Sequence, residues 1–281
     1  MSPTACELPA DLDIAFIGGG NMARALIGGL RQRGLEASRI RVGEPQEALR
    51  AALAADFGLA ASADNRAAVS GCRLLVLAVK PQVLPRVLGD LAQALEAETL
   101  LISVAAGISC AQLDAWAGGG RRVVRCMPNT PALIGQGACG LYANPACRAE
   151  DRQLAESVLG AVGVCAWIDQ EPLMDVVTAL SGSGPAYLFL LAEAMQAAAE
   201  REGLPAATAR LLARQTLIGA AGMLAADPSE AAELRRRVTS PGGTTQAAVE
   251  SLQSEAFEAL IARAIHAARR RGAELSAAAE G

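Results

Sequence analysis

A glycine-rich turn set between a strand-sized apolar run and an amphipathic helix constrains this chain more than any other feature. Asp13–Ile17 reads as a short strand, Gly18-x-Gly20-x-x-Ala23 follows it, and helical periodicity then continues to about Arg33. The first glycine permits the tight turn, the second lets a backbone approach a pyrophosphate, and Ala23 allows close helix–sheet packing. Glu44 closes the next predicted strand, 26 residues beyond Gly18, where an acid can accept from ribose hydroxyls and repel a 2′-phosphate. Strand, turn, helix and acid in that order predict a dinucleotide-binding βαβ unit.

The alternation continues for some 150 residues. Strands are expected at Arg39–Gly43, Leu59–Ala61, Arg73–Val79, Leu100–Val104, Arg122–Met127, Gly137–Tyr142 and Val164–Ile168. Helices are expected between them at Gln46–Phe57, Asn65–Ser70, Gln82–Leu95, Cys110–Ala115 and Ala149–Ala161. Strands alternating with helices mean a mostly parallel sheet, an α/β Rossmann-type domain over residues 1–170. From Glu171 the pattern is helical only, with apolar-periodic segments at Met174–Leu180, Pro185–Glu202, Pro205–Ala225 and Gln246–Ala268. Residues 171–281 are therefore read as an all-α domain. These helices are rich in Ala and Leu on more faces than one small core can cover, so part of their burial is expected from another subunit, or else from packing on the sheet.

Composition narrows the function. The 281 residues are 52% hydrophobic with a formal charge of −4, which offers no electrostatic footprint for nucleic acid. Apolar runs such as Leu74–Val79 are strand-sized, so no membrane span is expected. Glu7, Asp11 and Asp13, without a basic run, argue against a secretory leader. Seven scattered cysteines without a CxxC pair read as reduced thiols in a cytoplasmic protein, not as a metal site. The single histidine, His266, makes His-based acid–base or metal chemistry improbable. One lysine, Lys80, stands against 24 arginines, either by chance or because its role resists replacement.

Three strand ends fall on the edge where cofactors lie in open α/β sheets: Ala78-Val79-Lys80-Pro81, the Ser103–Gly107 turn with Ala105 and Ala106, and Arg125-Cys126-Met127-Pro128-Asn129-Thr130-Pro131. Asn129 offers both a donor and an acceptor, and Asn65, Arg41 and Arg50 can reach the adenosine end. Ser181–Tyr187 interrupts the helical half with small residues. Ser240-Pro241-Gly242-Gly243-Thr244-Thr245 does so again, presenting backbone N–H groups and two hydroxyls at a helix start. That loop is either an anion site or an ordinary Thr-capped connection.

Taken together and in order, Phe16–Ala23, Ala78–Pro81, Met127–Pro131, Ser181–Tyr187 and Ser240–Thr245 resemble the pyrroline-5-carboxylate reductase family over nearly the whole chain. The resemblance implies a Rossmann domain followed by an all-helical dimerisation domain, and homodimers that often assemble further. It implies reduction of a small cyclic imino acid, 1-pyrroline-5-carboxylate, to L-proline with NADPH or NADH, the last step of proline biosynthesis. Ile17, Gly18, Gly19, Gly20, Asn21, Met22, Asn65, Ala78, Val79, Lys80, Pro81, Ala105 and Ala106 match cofactor contacts, beside Glu44. Gly243, Thr244 and Thr245 would hold the substrate carboxylate, with the Thr245 hydroxyl near the ring nitrogen and Glu171 approaching that atom. Asn129 joins the substrate residues. Family members favouring NADPH tend to carry serine where this chain has Gly43. The alternatives are a hydroxyacid dehydrogenase of the same build, which would want a lysine in the helical half and finds none, and a non-catalytic NAD(P) sensor.

Overall fold

The computed structural model describes residues 8–9 and 11–278. Two compact units emerge, one comprising the chain up to Ser183 together with the end of the last helix from Ala268, the other Gly184–Ala267. The division falls later than the change of pattern near Gln170 for a packing reason. The first turns of the helical segment lie on the sheet, where a Cβ on Gly140 would meet Val177 Cγ1 at 2.5 Å and one on Gly182 would meet Met127 Cε at 2.5 Å.

The first unit holds eight strands, β1 (Ile14–Ile17), β2 (Ile40–Gly43), β3 (Ala61–Ser62), β4 (Leu74–Leu77), β5 (Leu100–Ser103), β6 (Val123–Met127), β7 (Gly137–Ala143) and β8 (Gly163–Trp167). Their order is β3-β2-β1-β4-β5-β6-β7-β8. All neighbours are parallel except β6 and β7, which pair antiparallel with Cys126 opposite Leu141. The central strands are buried on both faces, as expected of continuous apolar runs between helical layers. One face, with Ile14, Phe16, Val76 and Ile102, packs under α1 (Asn21–Gln32), α2 (Glu47–Phe57) and α6 (Ala149–Leu159). The other, with Ala15, Ile17, Leu75 and Leu77, packs under α3 (Asn65–Val69), α4 (Leu84–Leu91) and α5 (Cys110–Trp116). Strand order reverses direction at β1 and β4, which opens a crevice at their C-terminal ends.

Past β8, α7 (Met174–Val177) passes into a π-helical turn over Thr178–Gly182. Ser183 N–H donates to the Thr178 carbonyl at 2.8 Å, so the small residues expected to interrupt the helices instead sit in a widened turn. The helical run Glu171–Arg201 is 31 residues long and contains an 18-residue window of mean hydropathy 1.2, long and apolar enough to cross a bilayer by length and composition alone.

The second unit contains α8 (Gly184–Arg201), α9 (Ala206–Ala226), α10 (Ala231–Arg237), α11 (Thr244–Ser254) and the first part of α12 (Phe257–Ala278). The single helix expected over Gln246–Ala268 is two, because the backbone turns at Ala256, which takes φ +55. Among the described residues of this unit only Ala209, Ala213 and Leu234 are buried hydrophobics, while Phe189, Leu190, Leu211 and Ile218 are each more than 60% exposed. A unit so lightly buried has little core of its own.

Two adjacent glycines in α1 separate helix propensity from packing. A Cβ on Gly28 would lie 3.4 Å from Phe57 Cε1, an ordinary contact, whereas one on Gly29 would collide with the Ala161 carbonyl. Gly28→Ala should therefore stabilise by up to about 1 kcal/mol, the usual gain for alanine in a helix. Gly29→Ala should destabilise by about 1–3 kcal/mol despite the same gain. Denaturant midpoints of the two variants check the pair; equal shifts would show that the α1 contact with Ala161 is not close in solution.

Candidate active site

In the first unit the glycine turn lies at the crevice between β1 and β4. Gly18 takes φ +98, and a Cβ there would stand 2.6 Å from the Ala78 carbonyl oxygen, so glycine is required by both backbone angle and space. Gly18 N–H donates to the Gly43 carbonyl, and Ala78 N–H to that of Ile17, each at 2.8 Å, carrying both ladders to the edge of the crevice. Gly20 faces open space, and a Cβ placed on it would find nothing within 4 Å. It is also the N-cap of α1 and provides no side-chain cap, so the first N–H groups of a 12-residue helix remain available. A pyrophosphate fits such a terminus. Ile17 through Met22, Ala78 through Pro81 and Ala105 thus belong to one sheet edge; Ala105 is buried with its N–H on Ser103 Oγ at 3.3 Å. Ala106 and Lys80 are exposed.

Glu44 is placed differently from a free ribose acceptor. It is 5% exposed, and its carboxylate turns inward. Oε2 accepts from Gly19 N–H and Oε1 from Gln46 N–H, each at 2.8 Å. Arg50 Nη1 donates to the carbonyls of Glu44 and Pro45 at 2.9 and 2.7 Å. Glu44 therefore shapes the glycine turn and the start of α2 while keeping a negative charge at the end of β2. Gly43 beside it is closely covered: a Cβ would meet the ends of two side chains, Asn65 Oδ1 at 2.5 Å and Ile17 Cδ1 at 2.9 Å. That Asn65 oxygen is buried without a hydrogen-bond partner. A serine at position 43 would require the Asn65 and Ile17 side chains to shift.

Asn129 and Glu171 are both engaged within the first unit. Asn129 Nδ2 donates to the Ser181 carbonyl at 3.0 Å, and its Oδ1 accepts from Ala138 N–H at 2.8 Å. The amide thereby ties the end of β6 to β7 and to the π-turn. Glu171 Oε1 accepts from Cys110 N–H at 2.7 Å, at the N-terminus of α5, and lies 3.4 Å from Arg125 Nη1. The buried Arg125 guanidinium also reaches Asp175 at 3.6 Å. The sequence places Arg125 at this strand end without giving it a role, although a charged residue inside an apolar strand is a readable signal.

In the second unit the Ser240–Thr245 loop feeds α11, which begins at Thr244 and not near Gln246. Its N-cap is Gly243, and no side chain caps it. The threonines are thus the first two helical residues, exposed, with hydroxyls that do not serve as the cap. Gly243 N–H donates to the Ser240 carbonyl at 3.0 Å, and the N–H groups that follow lie ahead of the first intrahelical bond, Ala247 N–H to the Gly243 carbonyl.

Thiol chemistry has no candidate among the described cysteines, all free. Burial raises Cys72 and Cys147 to about 11 and also raises Cys110. Thiol–thiol hydrogen bonding to Cys126 raises Cys139, and bonding to Cys139 raises Cys165. Protonated thiols are poor nucleophiles.

Comparison with known proteins agrees with this layout. The family described as "Pyrroline-5-carboxylate reductase dimerisation" matches residues 171–275, and "NADP oxidoreductase coenzyme F420-dependent" matches residues 13–107. The pyrroline-5-carboxylate reductase of Pseudomonas aeruginosa is 52% identical over 263 residues, 94% of this chain and 96% of that protein. The structure of a pyrroline-5-carboxylate reductase from Coxiella burnetii superimposes with a TM-score of 0.91 at 41% identity, covering 94% of this chain and 98% of the other. The Plasmodium falciparum pyrroline carboxylate reductase with NADP bound superimposes with a TM-score of 0.82 at 27% identity, covering 95% and 99%.

Proposed function

The chain belongs to the pyrroline-5-carboxylate reductase family, and from that premise we infer how its own residues carry out the reduction of 1-pyrroline-5-carboxylate to L-proline with NAD(P)H. The observation that carries the reading is that the chain holds two donor-rich helix starts, one in each unit: the uncapped α1 behind a glycine turn and the uncapped α11 behind Gly243. The first suits a pyrophosphate, the second a carboxylate.

When bound, the nicotinamide supplies a hydride. Delivered to the carbon of a protonated imine, it sends the C=N π electrons to nitrogen and leaves a neutral amine, so no alkoxide forms and no poised acid is needed. That demand suits a chain whose only lysine is Lys80 and whose only histidine is His266. Gly243, Thr244 and Thr245 form the carboxylate site, in which Gly243 lets the carboxylate approach the backbone, Thr244 and Thr245 donate from their N–H groups, and the Thr245 hydroxyl accepts from the ring N–H. Orientation supplies most of the rate. Glu171 and Asn129 act as positioning residues on this reading, since Cys110 N–H and Arg125 hold the first while Ser181 and Ala138 hold the second.

The chain carries a dimerisation domain, and we assign it a homodimer formed through the exposed apolar faces of α8 and α9. The six free cysteines among the described residues support a reducing, cytoplasmic setting. Neither nucleic acid nor a bilayer enters this reading, and the apolar run Glu171–Arg201 is assigned to the subunit interface. Recovery of the activity with the soluble fraction tests that compartment. The purified protein should oxidise NADH or NADPH only with the cyclic imine present, and in sedimentation the activity should travel as a dimer or larger. Folded, nucleotide-binding protein without turnover would favour a sensor, and an active monomer would remove the interface assignment.

Cofactor choice follows from Gly43 and Glu44. A buried negative charge at the end of β2, with no hydroxyl beside it, disfavours the 2′-phosphate. The kcat/KM ratio of NADPH to NADH should stay below about a hundredfold, roughly 2.7 kcal/mol. A larger ratio overturns the role given to Glu44.

Thr245→Ala should lower kcat/KM for the imine by about ten- to a hundredfold, the worth of one hydrogen bond to a charged group, with nucleotide affinity preserved. Thr245→Ser should recover much of the loss. Because Gly243 and not Thr245 is the N-cap, the alanine variant should lose little stability. Unchanged kcat/KM in Thr245→Ala would leave the hydroxyl without a part in the reaction.

A further inference from the structure

The N-terminus of α11 is held open by a side chain outside the Gly-Gly-Thr-Thr run. In a capping box the third helical residue returns its side chain to the N–H of the N-cap. The third residue here is Gln246, and it reaches one position further back. Gly242 N–H donates to Gln246 Oε1 at 2.6 Å, while Gln246 Nε2 donates to Glu250 Oε1, one turn along the helix, also at 2.6 Å. An ionised carboxylate only accepts, so Glu250 dictates which end of the Gln246 amide faces Gly242. Gly242 lies in the left-handed region at φ +70, which a turn of this shape requires of it. Gln246 also borders a cavity of about 740 Å³ with Thr239, Pro241 and Glu250, so hydrogen bonds rather than dense packing hold its side chain.

These contacts decide which donors are left for a ligand. Gly242 N–H is taken by Gln246, and Gly243 N–H by the Ser240 carbonyl at 3.0 Å. The next N–H groups are those of Thr244 and Thr245, the two residues that also carry hydroxyls. Without the Gln246 contact, the Gly242 peptide would be free to turn and the direction of those N–H groups would no longer be set.

We infer that Gln246 is a positioning residue for the substrate carboxylate, acting through Gly242 and oriented by Glu250. The inference rests on the assignment of this loop to the carboxylate. It adds the device that shapes the loop, and predicts that Glu250 acts only through Gln246.

The test uses the full-length protein, Gln246→Met, Glu250→Ala and the double variant. Amide hydrogen exchange at Gly242 is read without substrate, beside Tm, and KM and kcat are read for the cyclic imine and for the nucleotide. Gln246→Met should raise Gly242 exchange at least tenfold and the imine KM about three- to tenfold, with kcat and the nucleotide KM within twofold. Glu250→Ala should raise the imine KM by a smaller factor, and the double variant should match Gln246→Met alone, since one residue works through the other. Unchanged Gly242 exchange overturns the inference, as does faster exchange with an unchanged imine KM. A fall of kcat for both ligands together with Tm would reduce Gln246 to a structural role and overturn it too. Wild-type protein with a protected Gly242 but no turnover of the imine would instead sink the functional reading, and this inference with it.

Discussion

The buried Arg125 guanidinium is the interaction on which the placement of the end of β6 depends. It stands in β6, two residues before Met127, and reaches the carboxylates of Glu171 and Asp175. A cation enclosed in an apolar sheet is costly unless paired, and loss of one partner in such a pair typically costs about 3–5 kcal/mol. Arg125 therefore compels the chain leaving β8 to return to β6. Its partners carry the constraint onward: Glu171 also accepts from the start of α5, and Asp175 lies beside Gly272 in the last helix. Asn129, two residues past Met127, completes the arrangement by binding Ser181 and Ala138. The π-turn, the end of β6 and the start of α5 are thus held as one piece by four polar side chains, Arg125, Glu171, Asp175 and Asn129.

Most of the first unit is legible in the amino-acid sequence. Alternating apolar runs and amphipathic helices locate every strand within a few residues, most plainly the central ones, because strands buried on both faces must be continuously apolar. The glycine turn is legible for the same kind of reason, since only glycine satisfies φ +98 against the Ala78 carbonyl. What stays hidden are features set by partners distant in sequence. Glu44 looks like a ribose acceptor until Gly19 and Gln46 are seen to bond both of its oxygens. Glu171 looks free until Arg125 arrives from 46 residues away. The break at Ala256 has no glycine or proline to announce it, and alanine in a left-handed turn runs against local preference. Gln246 does carry a signal, a Gln at the third helical position, but it reads clearly only once Gly243 is known to be the N-cap.

The helical unit shows a different division of labour between sequence and assembly. Its helices satisfy their own backbone groups, yet their apolar faces find few partners within the chain. Helix formation and burial are therefore separate matters for these segments: the first is local, and the second is not supplied by the unit's own core.

Lys80 is exposed at the end of β4, and every other basic side chain except His266 is a guanidinium. A cyclic imine adds water reversibly and opens to an amino-aldehyde, and aldehydes condense with ε-amines far more readily than with guanidinium groups. A protein that works on such a compound is exposed to its open form throughout its life. This one offers that electrophile a single ε-amine, on the edge of the nucleotide crevice. Adducts of that kind would accumulate at one address instead of being scattered over the surface, and nucleotide binding would report them.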